Sequence, residues 1–354
     1  MTDTDNIVAE TAERIFADLA DSQMIAKSKD GAWKAPLWQA LADNGLPLSW
    51  VPEDCDGSGV SLAEGFAVLS AAGRSAVAVP LAETMLAGWL LAQAKIASPE
   101  GMITVAPASP KDRLTLNADG TVSGRARGVP FATEAKHIAV VASGIGGVSI
   151  ALIEANACRI EAGLNLADDP SDTVTFDHVK PLASHPAPSG FDQNGLMLMG
   201  ALVRSLQIAG ALETMLGISV QYSGERVAFE KKISKFQAVQ HNLAKLAGET
   251  SAALAAASSA ADALSGSASD DDAIFLEVAS AKIRCSEAAE KGAAIAHQVH
   301  GAIGFTREHV LHRYTLRALA WRDDFGSESH WAVELGRLVA ARGADELWPL
   351  VASR

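Results

Sequence analysis

Two stretches of the chain decide its fold: residues 222–240 read YSGERVAFEKKISKFQAVQ, and residues 298–309 read QVHGAIGFTREH. Each stretch lies at the end of a long apolar segment whose hydrophobic residues recur at helical spacing. Working outward from them, the periodicity predicts helices over residues 191–222, 234–264, 273–299, 307–320 and 329–341. Alanine is densest in this part of the chain, which favours helices over strands. The C-terminal part, residues 188–354, is therefore predicted to contain a four-helix bundle.

The segment before this bundle has a different pattern. Between residues 101 and 187 the apolar runs are short, rich in β-branched residues and punctuated by glycine, as is typical of strands. Asn117-Ala-Asp-Gly120 is predicted to be a hairpin turn between two of these runs. We therefore expect a small antiparallel β domain over 101–187. It is preceded by a helical domain over 1–100, in which Ser61 and Glu64 form a capping box. The predicted fold class is mainly α, with a middle β domain.

Composition excludes several classes of protein. Of the 354 residues 49% are hydrophobic, which is enough for a packed core, and the net charge of −13 argues against nucleic acid or an anionic membrane as the main partner. The most apolar stretch, residues 196–220, is interrupted by Arg204, Gln207 and Glu213, which favours a buried helix over a membrane span. The N-terminus lacks the basic-then-apolar layout of a signal peptide, and the three cysteines share no short spacing. We expect a cytoplasmic protein without a disulfide framework.

Both quoted stretches resemble motifs of the acyl-CoA dehydrogenase family. The C-terminal domain of that family carries Tyr-x-x-x-Arg-x-x-Phe-Gly-x-x-Ile-x-x-Phe-Gln, followed by Gln-x-x-Gly-Gly-x-Gly-Phe. The order of a helical domain, a β domain and a helical bundle is also that of the family. The resemblance implies an FAD-dependent enzyme that oxidises an acyl-CoA to the 2-enoyl-CoA and passes the electrons to an electron-transfer flavoprotein or another acceptor. It also implies a homo- or hetero-oligomer, because FAD in this family lies across a subunit interface.

The resemblance also implies a set of cofactor-binding residues: Arg226, Phe229, Phe236, Gln237, Gln298, Gly301 and Ala302. A pyrophosphate prefers a cation with planar, bidentate donors, which Arg226 would supply. Gly301 would let the backbone approach the phosphates, and Gln298 would hydrogen-bond the cofactor. Phe229, Phe236 and Gln237 would lie on the adenosine side. Taken singly, Arg226 would be interpreted as a surface residue, and Phe229 and Phe236 as core residues. Their combined spacing favours the cofactor interpretation.

Departures from the family pattern bear on catalysis. The segment Val105–Pro110, VAPASP, contains neither the Thr-Glu-Pro nor the Gly-Ser-Asp signature with which family members hold the flavin ring and substrate. The general base is usually a Glu directly before Gly-Thr, and anchoring on Gly326 places Phe325 at that position. A shift of one residue would place Asp324 there instead. A second base position, used by some members, falls near Val203-Arg204, where there is no carboxylate.

These departures leave more than one functional hypothesis. The chain is either an acyl-CoA dehydrogenase with Asp324 as its base, or a non-catalytic subunit that completes the FAD site of a catalytic paralogue. A family oxidase or monooxygenase is a third, more distant hypothesis. The pairs His297/His300 and His309/His312 have i,i+3 spacing, but no acidic residue is placed to complete a site, so no metal is predicted.

Overall fold

The computed structural model describes residues 7–21, 24–25, 28, 31–266 and 271–352. The chain forms two compact units. The first contains most of the chain up to Gly200, and the second contains Ala201–Arg354 with the short stretches Asp21–Lys27 and Leu69–Val77.

Helices of the N-terminal part are α1 (Ile7–Leu19), α2 (Lys34–Asp43), α3 (Leu62–Ser75) and α4 (Leu81–Gln93). Helix α3 begins with the predicted capping box. The Ser61 hydroxyl accepts the Glu64 backbone N–H at 3.2 Å, and Glu64 Oε2 accepts the Ser61 backbone N–H at 3.0 Å. Both N–H groups lie at a helix start, where the helix itself offers them no partner, so this pair fixes where α3 begins.

The middle of the chain forms one eight-stranded sheet. Its strands are β1 (Ile103–Ala106), β2 (Leu114–Leu116), β3 (Val122–Pro130), β4 (His137–Gly144), β5 (Gly147–Glu154), β6 (Arg159–Glu161), β7 (Ser171–Val179) and β8 (Ala183–Pro186). The order is β6-β7-β3-β2-β4-β5-β8, with β1 paired to β4. The Asn117–Gly120 turn joins β2 and β3 into an antiparallel hairpin, as predicted.

The prediction of a purely antiparallel sheet is wrong, because the sheet is mixed. Strands β1 and β2 both pair with β4 in parallel, while the other pairs are antiparallel. Between β1 and β4 the chain forms β2 and β3. This connection is long enough for the chain to return beside β1 and to enter β4 in the same direction as β1. Strand direction depends on this path, whereas the alternating apolar pattern is the same in both directions.

The C-terminal part is helical. Its helices are α5 (Gln193–Glu225), α6 (Gln237–Ser265), α7 (Asp271–His300), α8 (Leu311–Trp321), α9 (Glu328–Arg342) and α10 (Leu347–Ala352). Helices α6 and α7 pack along their length, and each places buried alanines in the contact, among them Ala253 and Ala257 on α6 and Ala281 and Ala288 on α7. Small side chains let two helix backbones approach closely, which the alanine-rich composition of this region allows. The prediction of helical domains on either side of a β domain is confirmed.

Helix α5 is long and apolar enough to cross a membrane by length and composition alone. Its most apolar 18-residue window is, however, 89% buried inside the protein. A helix that is apolar on most sides and covered by protein is a core helix. The prediction of a buried helix over this stretch is therefore confirmed.

Candidate functional site

The first quoted stretch forms a tight hairpin at the end of α5. Strands β9 (Val227–Ala228) and β10 (Lys231–Lys232) pair in antiparallel fashion, and the Ile233 N–H donates to the Arg226 carbonyl oxygen at 2.9 Å. The two residues at the tip, Phe229 and Glu230, both have left-handed backbones, with φ of 51° and 62°. Glycine adopts this conformation without strain, so Glu230 stands at a position that suits the glycine of the family motif.

Aromatic and basic side chains of this hairpin face solvent. Phe229 is 89% exposed and meets the edge of Phe236 with ring centroids 6.3 Å apart. Lys231 Nζ lies 4.4 Å from the centre of the Phe236 ring. The Arg226 side chain is exposed, and no described residue hydrogen-bonds or ion-pairs with its guanidinium. Gln237, also exposed, is the first residue of α6. The hairpin thus presents a free guanidinium and one exposed aromatic ring, that of Phe229.

The second quoted stretch borders a groove of about 610 Å³ at the C-terminal end of α7. Its lining residues are Glu290, Ala293, Ala294, His297, Gln298, Gly301, Ala302, Phe305 and Leu319. Three predicted cofactor residues, Gln298, Gly301 and Ala302, therefore lie together. Gly301 has a φ of 65°, and a Cβ added there would have no heavy atom within 4 Å. The backbone at this position is open to a ligand, and only glycine adopts its conformation freely.

Phe305 is a groove residue that the sequence analysis did not assign. Its ring is 71% exposed and stacks on His297, with centroids 4.1 Å apart and planes inclined by 17°. The signal was present, since this phenylalanine ends the second quoted motif. No group of three or more His, Cys, Asp or Glu residues in the described part of the chain is arranged to hold a metal ion.

The two predicted base positions meet in an ion pair. Arg204 on α5 donates to Asp324 Oδ2 from both Nε and a terminal nitrogen, each at 2.9 Å, and its other terminal nitrogen donates to Gln207 Oε1 at 2.6 Å. Arg204 is 2% exposed, and the Asp324 side chain is 19% exposed. Charge-assisted bonds of this kind are among the strongest that a carboxylate makes, so Asp324 is committed to its guanidinium partner.

A second basic side chain lies beside this pair. Lys282 on α7 is fully buried, and its Nζ donates to the Trp321 carbonyl oxygen at 2.7 Å. Burial lowers the pKa of Lys282 to about 7, against the opposing effect of the Asp324 carboxylate. Nothing in the sequence marked Lys282, because a helical pattern does not show which of its lysines is buried.

Phe325, the alternative occupant of the base position, points into the core. Its side chain is 1% exposed, its backbone is left-handed with a φ of 54°, and its carbonyl oxygen accepts the Trp331 Nε1–H at 3.1 Å. A phenyl ring cannot accept a proton. The turn around Asp324 and Phe325 therefore presents an ion-paired carboxylate and a buried phenyl ring.

Comparison with known proteins identifies the family. Residues 192–328, which include both quoted stretches and the Arg204–Asp324 pair, match the family described as "Acyl-CoA dehydrogenase, C-terminal domain". The acyl-CoA dehydrogenase IpdE2 of Mycobacterium tuberculosis is 28% identical over 83% of this chain and 83% of its own length. The chain belongs to the acyl-CoA dehydrogenase family. The predicted family and enzyme class are confirmed, and the family is FAD-dependent.

Two further proteins are similar to this member of the acyl-CoA dehydrogenase family. The acyl-CoA dehydrogenase FadE34 of M. tuberculosis is 30% identical over 88% of this chain, which spans 43% of that longer protein. The crystal structure of the ChsE4–ChsE5 complex from M. tuberculosis has a chain that superposes with a TM-score of 0.87 at 22% identity, covering 97% of this chain and 99% of the other. The second comparison confirms the fold along nearly the whole chain.

The exposed groups described above suit a dinucleotide cofactor. Arg226 offers planar donors for a pyrophosphate, Gln298 offers an amide, and Gly301 leaves its backbone open. Phe229 offers an exposed ring for the adenosine side. These donors are of the right chemical type for FAD, so the residues present fit the cofactor of the family.

Proposed function

We propose that this chain is the non-catalytic subunit of a heteromeric acyl-CoA dehydrogenase and completes the FAD site of a catalytic paralogue. The proposal rests above all on the Arg204–Asp324 ion pair. A general base must be free to approach the α-proton of the substrate, whereas the buried Arg204 guanidinium holds Asp324 Oδ2 in two hydrogen bonds. Because the other candidate position holds Phe325, the base must come from the partner chain.

The role of this chain is then to bind and orient the cofactor. When bound, FAD would accept the hydride from the β-carbon of an acyl-CoA, and an electron-transfer flavoprotein or another acceptor would receive the electrons. Arg226 would bind the pyrophosphate, and Gln298, Gly301 and Ala302 would line its other side. Phe229, Phe236 and Gln237 would contact the adenosine. The lack of a Thr-Glu-Pro or Gly-Ser-Asp signature in the middle domain supports a flavin ring held by the partner.

Exposed small residues on the C-terminal helices support a partner-binding surface there. Gly217 and Gly224 on α5 and Gly248 on α6 have no heavy atom within 4 Å of an added Cβ, and Val220 between the first two is 50% exposed. Glycines on an exposed helix face cost helix stability and leave the backbone accessible, which suits close packing against another helix. The similarity to a chain of the ChsE4–ChsE5 complex supports a paralogue as the partner.

Co-purification with a paralogue that carries Glu at the base position tests this proposal. The chain is expressed alone and with that paralogue, and bound flavin and acyl-CoA dehydrogenation are measured for each preparation. We expect flavin and turnover only in the complex. Arg226→Ala in the complex should weaken FAD retention about 10- to 100-fold, since a charge-assisted bond to pyrophosphate is lost. Arg14→Ala, at an exposed arginine of α1, is the matched control and should retain FAD.

Two outcomes would contradict the proposal. Turnover of an acyl-CoA by the chain alone, abolished by Asp324→Asn, would make the chain a self-sufficient enzyme. FAD retention that is equal in the Arg226→Ala and Arg14→Ala complexes would remove the hairpin from the cofactor site.

A further inference from the structure

Four histidines meet where α7 ends and α8 begins, and the proposed function does not use them. We call His297, His300, His309 and His312 the histidine cluster. The His300 ring stacks on Tyr222 with centroids 4.4 Å apart, and the His309 ring lies 4.7 Å from that of His300. The connection between these helices, residues 301–310, carries Gly301 and Ala302 of the groove. A change in the cluster would therefore act on the groove.

Hydrogen bonds to carbonyl oxygens fix one protonated ring nitrogen in His300 and in His312. His300 Nδ1 donates to the Ala296 carbonyl oxygen at 2.8 Å, so its Nε2 is the unprotonated nitrogen. That Nε2 is buried, and no described residue hydrogen-bonds to it. His312 Nδ1 likewise donates to the His309 carbonyl oxygen at 2.6 Å. The neutral His300 ring is thus accommodated without an acceptor for an additional proton.

His309 has the opposite arrangement and caps a helix. Its Nδ1 accepts the backbone N–H of Leu311, the first residue of α8, at 3.2 Å. The first N–H groups of a helix have no partner within the helix, so a side-chain acceptor stabilises the start of α8. Only an unprotonated Nδ1 can accept this bond, because both nitrogens of a protonated imidazole are donors.

Charges around His309 do not favour a second proton. Tyr222 faces it from α5 and His300 from α7, and His312 lies on the first turn of α8. Arg307 and Glu308 precede it as exposed residues, and Arg313 follows on α8. Burial lowers the pKa of His309, and the neighbouring His312 imidazole lowers it further. A cation would also stand at the N-terminal end of α8, where the helix dipole is unfavourable to it.

We propose that His309 is a proton-sensitive cap, whose protonation breaks its bond to Leu311 and loosens the connection that carries Gly301 and Ala302. The groove is then ordered at neutral pH and opened in acid. His300 strengthens the response, because its own protonation would add a buried N–H without an acceptor beside His309. The structural part of this inference concerns the chain alone, and its consequence for FAD rests on the proposed function.

Hydrogen exchange of the full-length, cofactor-free chain at pH 7.5 and 5.5 tests the cap. After correction for the intrinsic pH dependence of exchange, we expect protection of the start of α8 to fall about tenfold on acidification. His309→Asn keeps an acceptor near the position of Nδ1 without titrating, so its protection should fall much less between the two pH values than that of the wild type. His309→Ala should be about fivefold less protected at both, as for a lost cap. His241→Gln, at an exposed histidine of α6, should behave as the wild type.

Equal protection of the wild type at both pH values would overturn the inference. A loss of protection in His309→Asn as large as in the wild type would also overturn it, since another group would then be the sensor. FAD retention of the complex is measured over the same range and should fall with the protection. If no preparation binds FAD at any pH, the proposed function fails while the exchange result still decides the cap.

Discussion

Replacing Asp324 by asparagine should destabilise the chain strongly without removing a catalytic group. The substitution takes the negative charge from a site where Arg204 is 2% exposed and Lys282 is fully buried, so the Arg204 guanidinium loses its counter-charge and Lys282 loses the carboxylate that favours its protonated form. Removing one partner of a fully buried ion pair costs about 3–5 kcal/mol. Asp324 is 19% exposed, and the amide oxygen of asparagine still accepts a hydrogen bond. We therefore expect a loss of about 2–3 kcal/mol in the free energy of unfolding.

Thermal and urea unfolding of the purified chain measure this loss, and the activity of the complex with a paralogue is measured in parallel. For a unit of this size the expected fall in Tm is about 5–10 °C. Asp323→Asn is the matched control, because Asp323 is the exposed neighbour of Asp324 and makes the same change of charge. Its stability should stay within about 0.5 kcal/mol of the wild type. The specific activity of the folded complex should be unchanged in both variants.

The opposite pattern would refute this reasoning. If Asp324→Asn has the stability of Asp323→Asn but lowers the turnover of the folded protein by about 10²-fold or more, then Asp324 is the general base. The ion pair with Arg204 would in that case open when substrate binds.

Three further variants test other parts of the structure. The pKa of Lys282 is about 7 in the folded chain and higher in the unfolded chain, so the unfolded state binds more protons. The free energy of unfolding should therefore rise from pH 7 to about 10. In urea unfolding, Lys282→Met should lack this rise. Glu230→Gly should raise Tm by relieving about 1 kcal/mol of left-handed strain, whereas Glu230→Ala, which keeps the side-chain Cβ, should not. Gly304→Ala should cost about 1–3 kcal/mol in unfolding free energy, because its Cβ would lie 2.9 Å from His300 Cβ. Gly336→Ala, with open space around it, should be neutral or stabilising.

Local patterns in the sequence determined the segmentation of the chain and its family. The change from helical to alternating periodicity near residue 101 places the strands, which begin at Ile103, and the Ser61–Glu64 pair marks the start of a helix. The two motifs around Arg226 and Gln298 indicate the family without any knowledge of the fold. These features could be predicted because each depends on residues within about one or two turns of one another.

Only the tertiary structure decided what the residues at the expected base positions do. Arg204 and Asp324 are 120 residues apart in sequence, and neither shows in its local pattern that the other will be its partner. The burial of Lys282, the inward direction of Phe325 and the parallel pairing of β1 with β4 are likewise absent from any local periodicity. Each depends on which distant segments the folded chain brings together. Burial makes an unpaired charge costly, so a buried charged side chain needs a counter-charge nearby. The fold determines which residue lies close enough to supply it.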